Sequence, residues 1–364
     1  MWVALLGRKD EPTDGVEDYC TFLGRALADC GVELRPVRVR WLKQGWLGAL
    51  RELWRDAAGC RGRWVLLQYT ALSWSRRGFP LGALAVLTVL RRRGVRCAVV
   101  FHEPWSQGQT PGWRGRVRGA CQDWVIRRLY RRATKAIFTN PLDNIPWLPK
   151  DDAKSAFIPI GANIPERVTR RSGCTLEGRR KNVIVFGVTG APAMSREVEE
   201  IAAVLRDACA ALGSLRLVVI GRGAIEARDD LATALASCDV ELTVRGVLPA
   251  EEIAREFECA DALLFVRGTM TPRRGSALAG IACGIPIVGY ENGEISGPLK
   301  EAGIEWSPWR DRDSLARGLV RVLSDGSRWL ELHERNLKAQ QEHFSWTRIA
   351  ERFCNVLDAG VGGP

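Results

Sequence analysis

Short apolar runs alternate with longer amphipathic stretches from one end of the chain to the other. In the first half, the runs at 2–6, 33–38, 64–69, 97–101, 136–139 and 156–159 read as strands. The stretches between them, 16–30, 47–58, 81–93 and 117–132, read as helices. The pattern then restarts, with strands at 182–186, 215–220, 241–245, 262–265 and 285–289 and helices at 196–212, 231–238, 251–259 and 276–283. Such alternation predicts an α/β protein with two doubly wound domains of parallel strands facing a cleft. The polar, weakly periodic stretch 165–181 is the expected boundary. In open sheets of this kind ligands bind beyond the carboxyl ends of the strands, so a ligand is expected in the cleft.

Composition changes this picture little. With 364 residues, 46% hydrophobic and 26% charged, the chain has room for two ordinary cores and no block that reads as disorder. Eleven cysteines are scattered without a CxxC, so they read as small hydrophobes in a reducing, cytoplasmic setting. The first apolar run meets charge at Arg8, too early for a signal peptide, and no stretch reaches the ~18 uncharged apolar residues of a spanning helix.

Charge changes it more. The net +11 divides into +13 over residues 1–165 (27 basic, 14 acidic) and −2 over residues 166–364 (26 basic, 28 acidic). Residues 51–135 alone hold 18 basic side chains against four acidic ones. The partners implied are anionic: a phosphorylated acceptor, nucleic acid or an acidic membrane surface. No nucleic-acid-binding motif accompanies the charge, which disfavours that partner. Trp46, Leu50, Leu53 and Trp54 share one helical stripe with Lys43, Arg51 and Arg55 near its edges. This describes either an interfacial helix or a helix whose apolar face packs on the sheet.

Two places in the first half carry candidate chemistry. Gly15 stands where the first strand runs into a helix, so its backbone either approaches an anionic group or makes an ordinary turn. His102 and Glu103 follow the fourth strand, at the functional edge of such a sheet, where a polar pair contacts a sugar or stabilises charge at a reacting carbon. The Gly- and Arg-rich loop at 106–119 is placed to close over an acceptor.

The order of these parts resembles the GT-B glycosyltransferases, with two Rossmann-like domains, and within them the retaining family-4 group. The carrying residues are Asp14-Gly15-Val16-Glu17, His102-Glu103-Pro104, Phe157-Ile-Pro-Ile-Gly161-Ala-Asn-Ile-Pro165 and Val244-Arg-Gly-Val-Leu-Pro249. Cys259-Ala-Asp-Ala-Leu-Leu264, Ala282-Cys-Gly-Ile-Pro-Ile-Val288 and the tail Phe344-Ser-Trp346-Thr-Arg-Ile-Ala350 complete the set. The resemblance implies transfer of a sugar from a nucleotide diphosphate donor, held by a second domain over 166–343, to an acceptor held by a first domain over 1–165. A helix at 344–358 would cross back to the first domain. It also implies no metal and no cofactor, because helix N-termini and basic side chains neutralise the leaving diphosphate. Asp311-Arg-Asp313 is formally a DxD but reads as a helix cap.

The chain departs from that family at its donor site. Alignment on Ala282-Cys-Gly-Ile-Pro286 places the family's paired glutamates at Thr271 and Ala279, and its Arg after the first strand of the second domain at Val188. The substitutes are Arg273, Arg274, Gly275 and Ser276, a turn entering a helix, together with Arg196. Gly246 and Val247 would read the nucleotide base through their backbone, with Glu252 opening the next helix. The expected activity is therefore retaining glycosyl transfer by a peripheral or cytoplasmic enzyme, with His102 and Glu103 as the catalytic candidates. A nucleotide-sugar epimerase and an inactive sugar-nucleotide-binding subunit are the alternatives.

Overall fold

A computed structural model describes residues 1–10, 14–106, 112–150, 152–165, 179–191, 193–268, 270–291, 295 and 297–358. Most of the expected linker at 165–181, and part of the loop at 106–119, lie outside the described residues. The chain divides into two compact units, one comprising Met1–Ile160 with Trp346–Pro364 and the other Gly161–Ser345.

The first unit runs β1 (Trp2–Leu6), α1 (Gly15–Asp29), β2 (Leu34–Arg38), α2 (Trp41–Asp56), β3 (Trp64–Tyr69), α3 (Leu81–Arg92), β4 (Arg96–Phe101), α4 (Trp113–Arg132), β5 (Lys135–Phe138) and β6 (Ser155–Phe157). The second runs β7 (Lys181–Phe186), α5 (Met194–Leu212), β8 (Leu215–Ile220), α6 (Arg228–Leu235), β9 (Val240–Gly246), α7 (Ala250–Cys259), β10 (Ala262–Phe265), α8 (Gly275–Ala282), β11 (Ile287–Glu291), β12 (Ile304–Pro308), α9 (Arg312–Ser324) and α10 (Gly326–Ala339). A π-helical turn, Gln340–Phe344, then leads to α11 (Trp346–Asp358), which belongs to the first unit and packs on α1.

Both sheets are parallel and six-stranded, ordered β2-β1-β3-β4-β5-β6 and β12-β11-β10-β7-β8-β9. The apolar runs are explained by burial on both faces. In β1, Trp2, Ala4 and Leu6 join the core under α1 and α11, while Val3 and Leu5 join the core under α2, α3 and α4. Trp346 stacks on Phe22 at 5.7 Å and meets Tyr19 at 5.4 Å, seating α11.

Two elements have no counterpart in the sequence pattern, β12 and α10, and α9 is marked there only by its cap. Glu305 interrupts the apolar run of β12, yet it is buried, because Arg321 (2.7 Å) and Arg328 (2.6 Å) hold its carboxylate from α9 and α10. Asp311 caps α9 by accepting the Ser314 N–H at 2.9 Å, as its cap-like position suggested. Helix α4 begins at Trp113 rather than 117, and α2 begins at Trp41, with Gly45 (φ 69°) breaking its first turn from the rest.

That break settles the Trp46 alternative on the side of packing. Trp46 stacks on Trp41 at 5.0 Å and lies against Gly82, where a Cβ would come within 1.9 Å of the indole. Leu53 is buried as well, while Trp54 stays exposed beneath the Arg93 guanidinium, 4.8 Å from its ring.

Candidate functional site

The strand order of the second unit fixes where a ligand can sit. From β7 the chain builds outward through β8 and β9, then returns to the other side of β7 to lay down β10, β11 and β12. Helices therefore depart in opposite directions from β7 and β10, which leaves a crevice at the carboxyl ends of these two neighbours.

Gly187 and Val188 leave β7, with Gly187 in the left-handed region (φ 84°). Their N–H groups bond the carbonyls of Ile220 (2.7 Å) and Arg222 (2.9 Å), which fixes the turn against the end of β8. Val188 is buried and offers no charge. The charge comes instead from β10: Arg267 lies across Gly187 so closely that a Cβ there would be 2.4 Å from its Nη1, and its Nε faces Thr189 Oγ1 at 3.4 Å. Gly268 (φ 54°) turns the chain, and a Cβ on it would be 4.0 Å from Nη2 of Arg274.

Arg273 and Arg274 occupy the turn before α8, closed by the Arg274 N–H to the Thr271 carbonyl at 2.9 Å. Arg274 holds the N-cap position, where it can offer no side-chain acceptor to the first N–H groups of the helix, those of Gly275 and Ser276. Two of the guanidiniums act on the third. Surrounding protein, then Arg267, then Arg273 hold the Arg274 pKa below its ordinary value, and Glu197 works against them. Glu197 is a buried carboxylate in the first turn of α5 and accepts the Thr189 N–H at 2.7 Å. Arg274 and Gly275 remain exposed, so the group is open to a ligand from solvent.

Thr271 and Ala279 stand where the family resemblance placed carboxylates. The Thr271 hydroxyl is buried without a hydrogen-bond partner among the described residues, and Ala279 is enclosed within α8. Arg196 lines a neighbouring cavity of about 420 Å³ with Glu199, Glu200, Tyr290 and Trp309. Gly246 ends β9 with φ 66°, next to exposed Val247 and against exposed Ile225. Glu252 is engaged by Arg245 at 2.8 Å.

In the first unit, Gly15 opens α1 beside a buried acid of the chain itself. Asp14 caps the helix through Val16 and Glu17 N–H (3.1 Å each), and Arg38 pairs with both Asp14 (3.2 Å) and Glu17 (3.1 Å). At the end of β4, His102 bonds Gln68 Oε1 through Nε2 at 2.8 Å and meets the edge of Tyr19 at 5.1 Å, so its ring orientation is fixed; Glu103 follows it, half-buried. Among the described residues, the group with metal-ligand proximity is Glu301, Glu342 and His343, on the surface near the start of β12 and away from the crevice.

Solved structures share this architecture across both units. Sucrose-phosphate synthase from Thermosynechococcus elongatus superposes with a TM-score of 0.68 at 17% identity, covering 99% of each chain. HepE from Anabaena, in complex with UDP and glucose, gives 0.65 at 11% identity over 98% of this chain and 99% of that one. A putative UDP-N-acetylglucosamine 2-epimerase from Listeria monocytogenes gives 0.57 at 10% identity over 99% and 96%. The fold is GT-B. No family model and no curated protein matches the sequence.

This GT-B chain brings Arg273, Arg274 and Gly275, which stand out in the sequence, together with Arg267 and Glu197, which do not. Arg267 has a weak signal, a basic residue just past an apolar strand run. Glu197 has none, since an acid in the first turn of a helix ordinarily faces water.

Proposed function

We propose that the protein is a glycosyltransferase that moves a sugar from a nucleotide diphosphate-sugar to an acceptor hydroxyl with retention of configuration. The observation that carries this reading is the convergence of Arg267, Arg273 and Arg274 at the β7/β10 crevice, with the buried carboxylate of Glu197 acting on Arg274. Guanidiniums gathered beside the first N–H groups of a helix favour a bound anion, and a diphosphate presents two phosphates to them.

On this reading Arg267 takes the place of the arginine that the family resemblance expected at Val188. The Gly275 and Ser276 N–H groups with Arg273 and Arg274 neutralise the charge that develops on the departing diphosphate, the largest electrostatic demand of such a reaction. Gly246, Val247 and exposed Ile225 offer an edge and an apolar surface to the base, and Thr271 stands in for a carboxylate with a hydroxyl that needs a partner. His102 and Glu103 are the groups assigned to the reacting sugar. Gln68 Oε1 takes the Nε2–H and fixes the imidazole, so His102 serves as an oriented polar group rather than a mobile proton carrier. No metal or cofactor is required by this scheme, since guanidiniums and helix N–H groups supply the positive charge. Arg196, in its own cavity, is assigned a supporting role toward the phosphates.

The test is calorimetric binding of UDP, GDP and their sugar conjugates, followed by product analysis with and without acceptor. Tight diphosphate binding and acceptor-dependent release support the proposal. The likeness to the Listeria epimerase structure makes a second outcome concrete: a changed sugar epimer without acceptor would replace transfer by epimerisation. Binding without turnover across a broad acceptor panel would leave a sugar-nucleotide-binding subunit, and absence of any nucleotide binding would remove the donor site altogether.

A further inference from the structure

We propose that the outer face of the α2–α3–α4 layer of the first unit is a docking surface for an anionic phospholipid bilayer. The three helices lie side by side, α2 against α3 and α3 against α4, over the core of one sheet face. Helix α4 buries Gln122, Val125, Ile126, Leu129 and Tyr130, which leaves its opposite side outward.

That outward side does not have the composition of a solvated face. Trp113, Val117, Ala120, Trp124, Arg127 and Arg131 are all exposed and fall within an arc of about 80° at 100° per residue. Trp113 is 66% exposed, Val117 52% and Trp124 55%. The apolar members come first and the arginines follow, with Arg114 and Arg116 exposed at the other end of the helix. The lone acid of α4, Asp123, is occupied by the Ser106 N–H at 3.2 Å. On α2, Leu47 (75% exposed) and Trp54 (41%) bracket Arg51, and with Leu50, Arg55 and Val89 of α3 they line an open apolar depression of about 500 Å³. Leu81 at the start of α3 is exposed as well.

Charge selects the occupant. The first unit holds 29 basic and 16 acidic side chains, a formal +13, against −2 for the second. Tryptophans at the level of lipid headgroups, with arginines reaching phosphates, are the combination that an anionic bilayer surface stabilises, and scattered solvent exposure of paired tryptophans is otherwise unfavourable. No helix among the described residues is long and apolar enough to cross a membrane, so the contact is peripheral. This surface is independent of the phosphate crevice and of the transferase reading.

The experiment is sedimentation of the full chain with vesicles of phosphatidylcholine alone and of phosphatidylcholine mixed with phosphatidylglycerol. Binding is expected to the mixed vesicles, to weaken with added salt, and to fall about tenfold or more in Trp113→Ala/Trp124→Ala and in Arg127→Glu/Arg131→Glu. Because these side chains are exposed, unfolding temperature and far-ultraviolet circular dichroism are measured alongside as checks that the variants fold. Equal binding to neutral vesicles, no binding to either, or undiminished binding by the folded variants overturns the proposal. So does concentration-dependent dimerisation that the tryptophan variant abolishes without any vesicle binding, which would assign the face to a second copy of the chain.

Discussion

Arg267 occupies the space that a side chain at position 187 would need: a Cβ on Gly187 would lie 2.4 Å from Nη1 of Arg267. Two strand ends thus share one volume, and glycine at β7 is what admits the guanidinium of β10. Gly187→Ala is expected to cost about 1–2 kcal/mol of stability from its left-handed backbone. It is also expected to weaken UDP or GDP binding as much as Arg267→Ala does, by displacing the arginine. Calorimetry on the folded variant checks this, and unchanged affinity would show that Arg267 has no need of the glycine.

Arg267→Ala and Arg274→Ala are expected to lower nucleoside diphosphate affinity by about tenfold or more each, the worth of a charge-assisted hydrogen bond. Without ligand, the unfolding temperature of the Arg267 variant should stay level or rise, because Arg267 no longer repels Arg274. Loss of stability with full affinity retained would reverse the assignment and make the arginines structural.

Glu197 is the opposite case. Glu197→Gln removes the buried charge that offsets the guanidiniums and weakens the acceptor of the Thr189 N–H, so stability should fall by about 1–3 kcal/mol in urea titrations. Diphosphate affinity should hold or tighten, since the bound anion takes over the compensation. A weaker affinity would mean that Glu197 orients the site beyond balancing its charge.

Asp261 anchors the start of β10 away from any site. Its fully buried carboxylate takes Arg179 through two bonds and the Asn182 N–H at 2.7 Å, tying β10 to the approach of β7. Asp261→Asn is expected to cost about 2–4 kcal/mol, reduced from the loss of a wholly buried pair because Arg179 is partly exposed. Chemical denaturation measures it, and a cost near zero would place the strand's stability in its apolar core alone.

The thiols should separate by burial. Burial pushes Cys97 and Cys283 up to about 12 and Cys20 higher still, so all three stay protonated and unreactive through neutral and mildly alkaline pH. Cys30 and Cys259 are exposed. Iodoacetamide followed by peptide mapping should modify Cys30 and Cys259 in the native protein, and Cys20, Cys97 and Cys283 only after unfolding. Native labelling of Cys97 would indicate opening of β4, its host strand.

Much of the architecture follows from local pattern. Strands buried on both faces must be continuous apolar runs, and β1, β3, β7 and β8 advertise themselves in that way, as does the cap at Asp311. Where a strand carries a charge that tertiary contacts later neutralise, as Glu305 does in β12, the pattern fails, because its partners Arg321 and Arg328 come from later helices. The same limit governs the site. The Arg273–Arg274–Gly275 turn is contiguous and was visible as a motif, whereas Arg267 acts at β7 only because the sheet sets β10 beside it. The tryptophans show it again: sequence drew attention to Trp46, which the Gly45 break and Gly82 turn into a packing residue. Trp113 and Trp124 became a surface only once α4 was seen to begin a turn early and to bury its other side. Sequence by itself determined the periodicities, the two α/β repeats and the uneven charge, since each depends on neighbouring residues. Which charges meet and which aromatic rings face water was decided by tertiary structure, because those depend on strand order and helix phase.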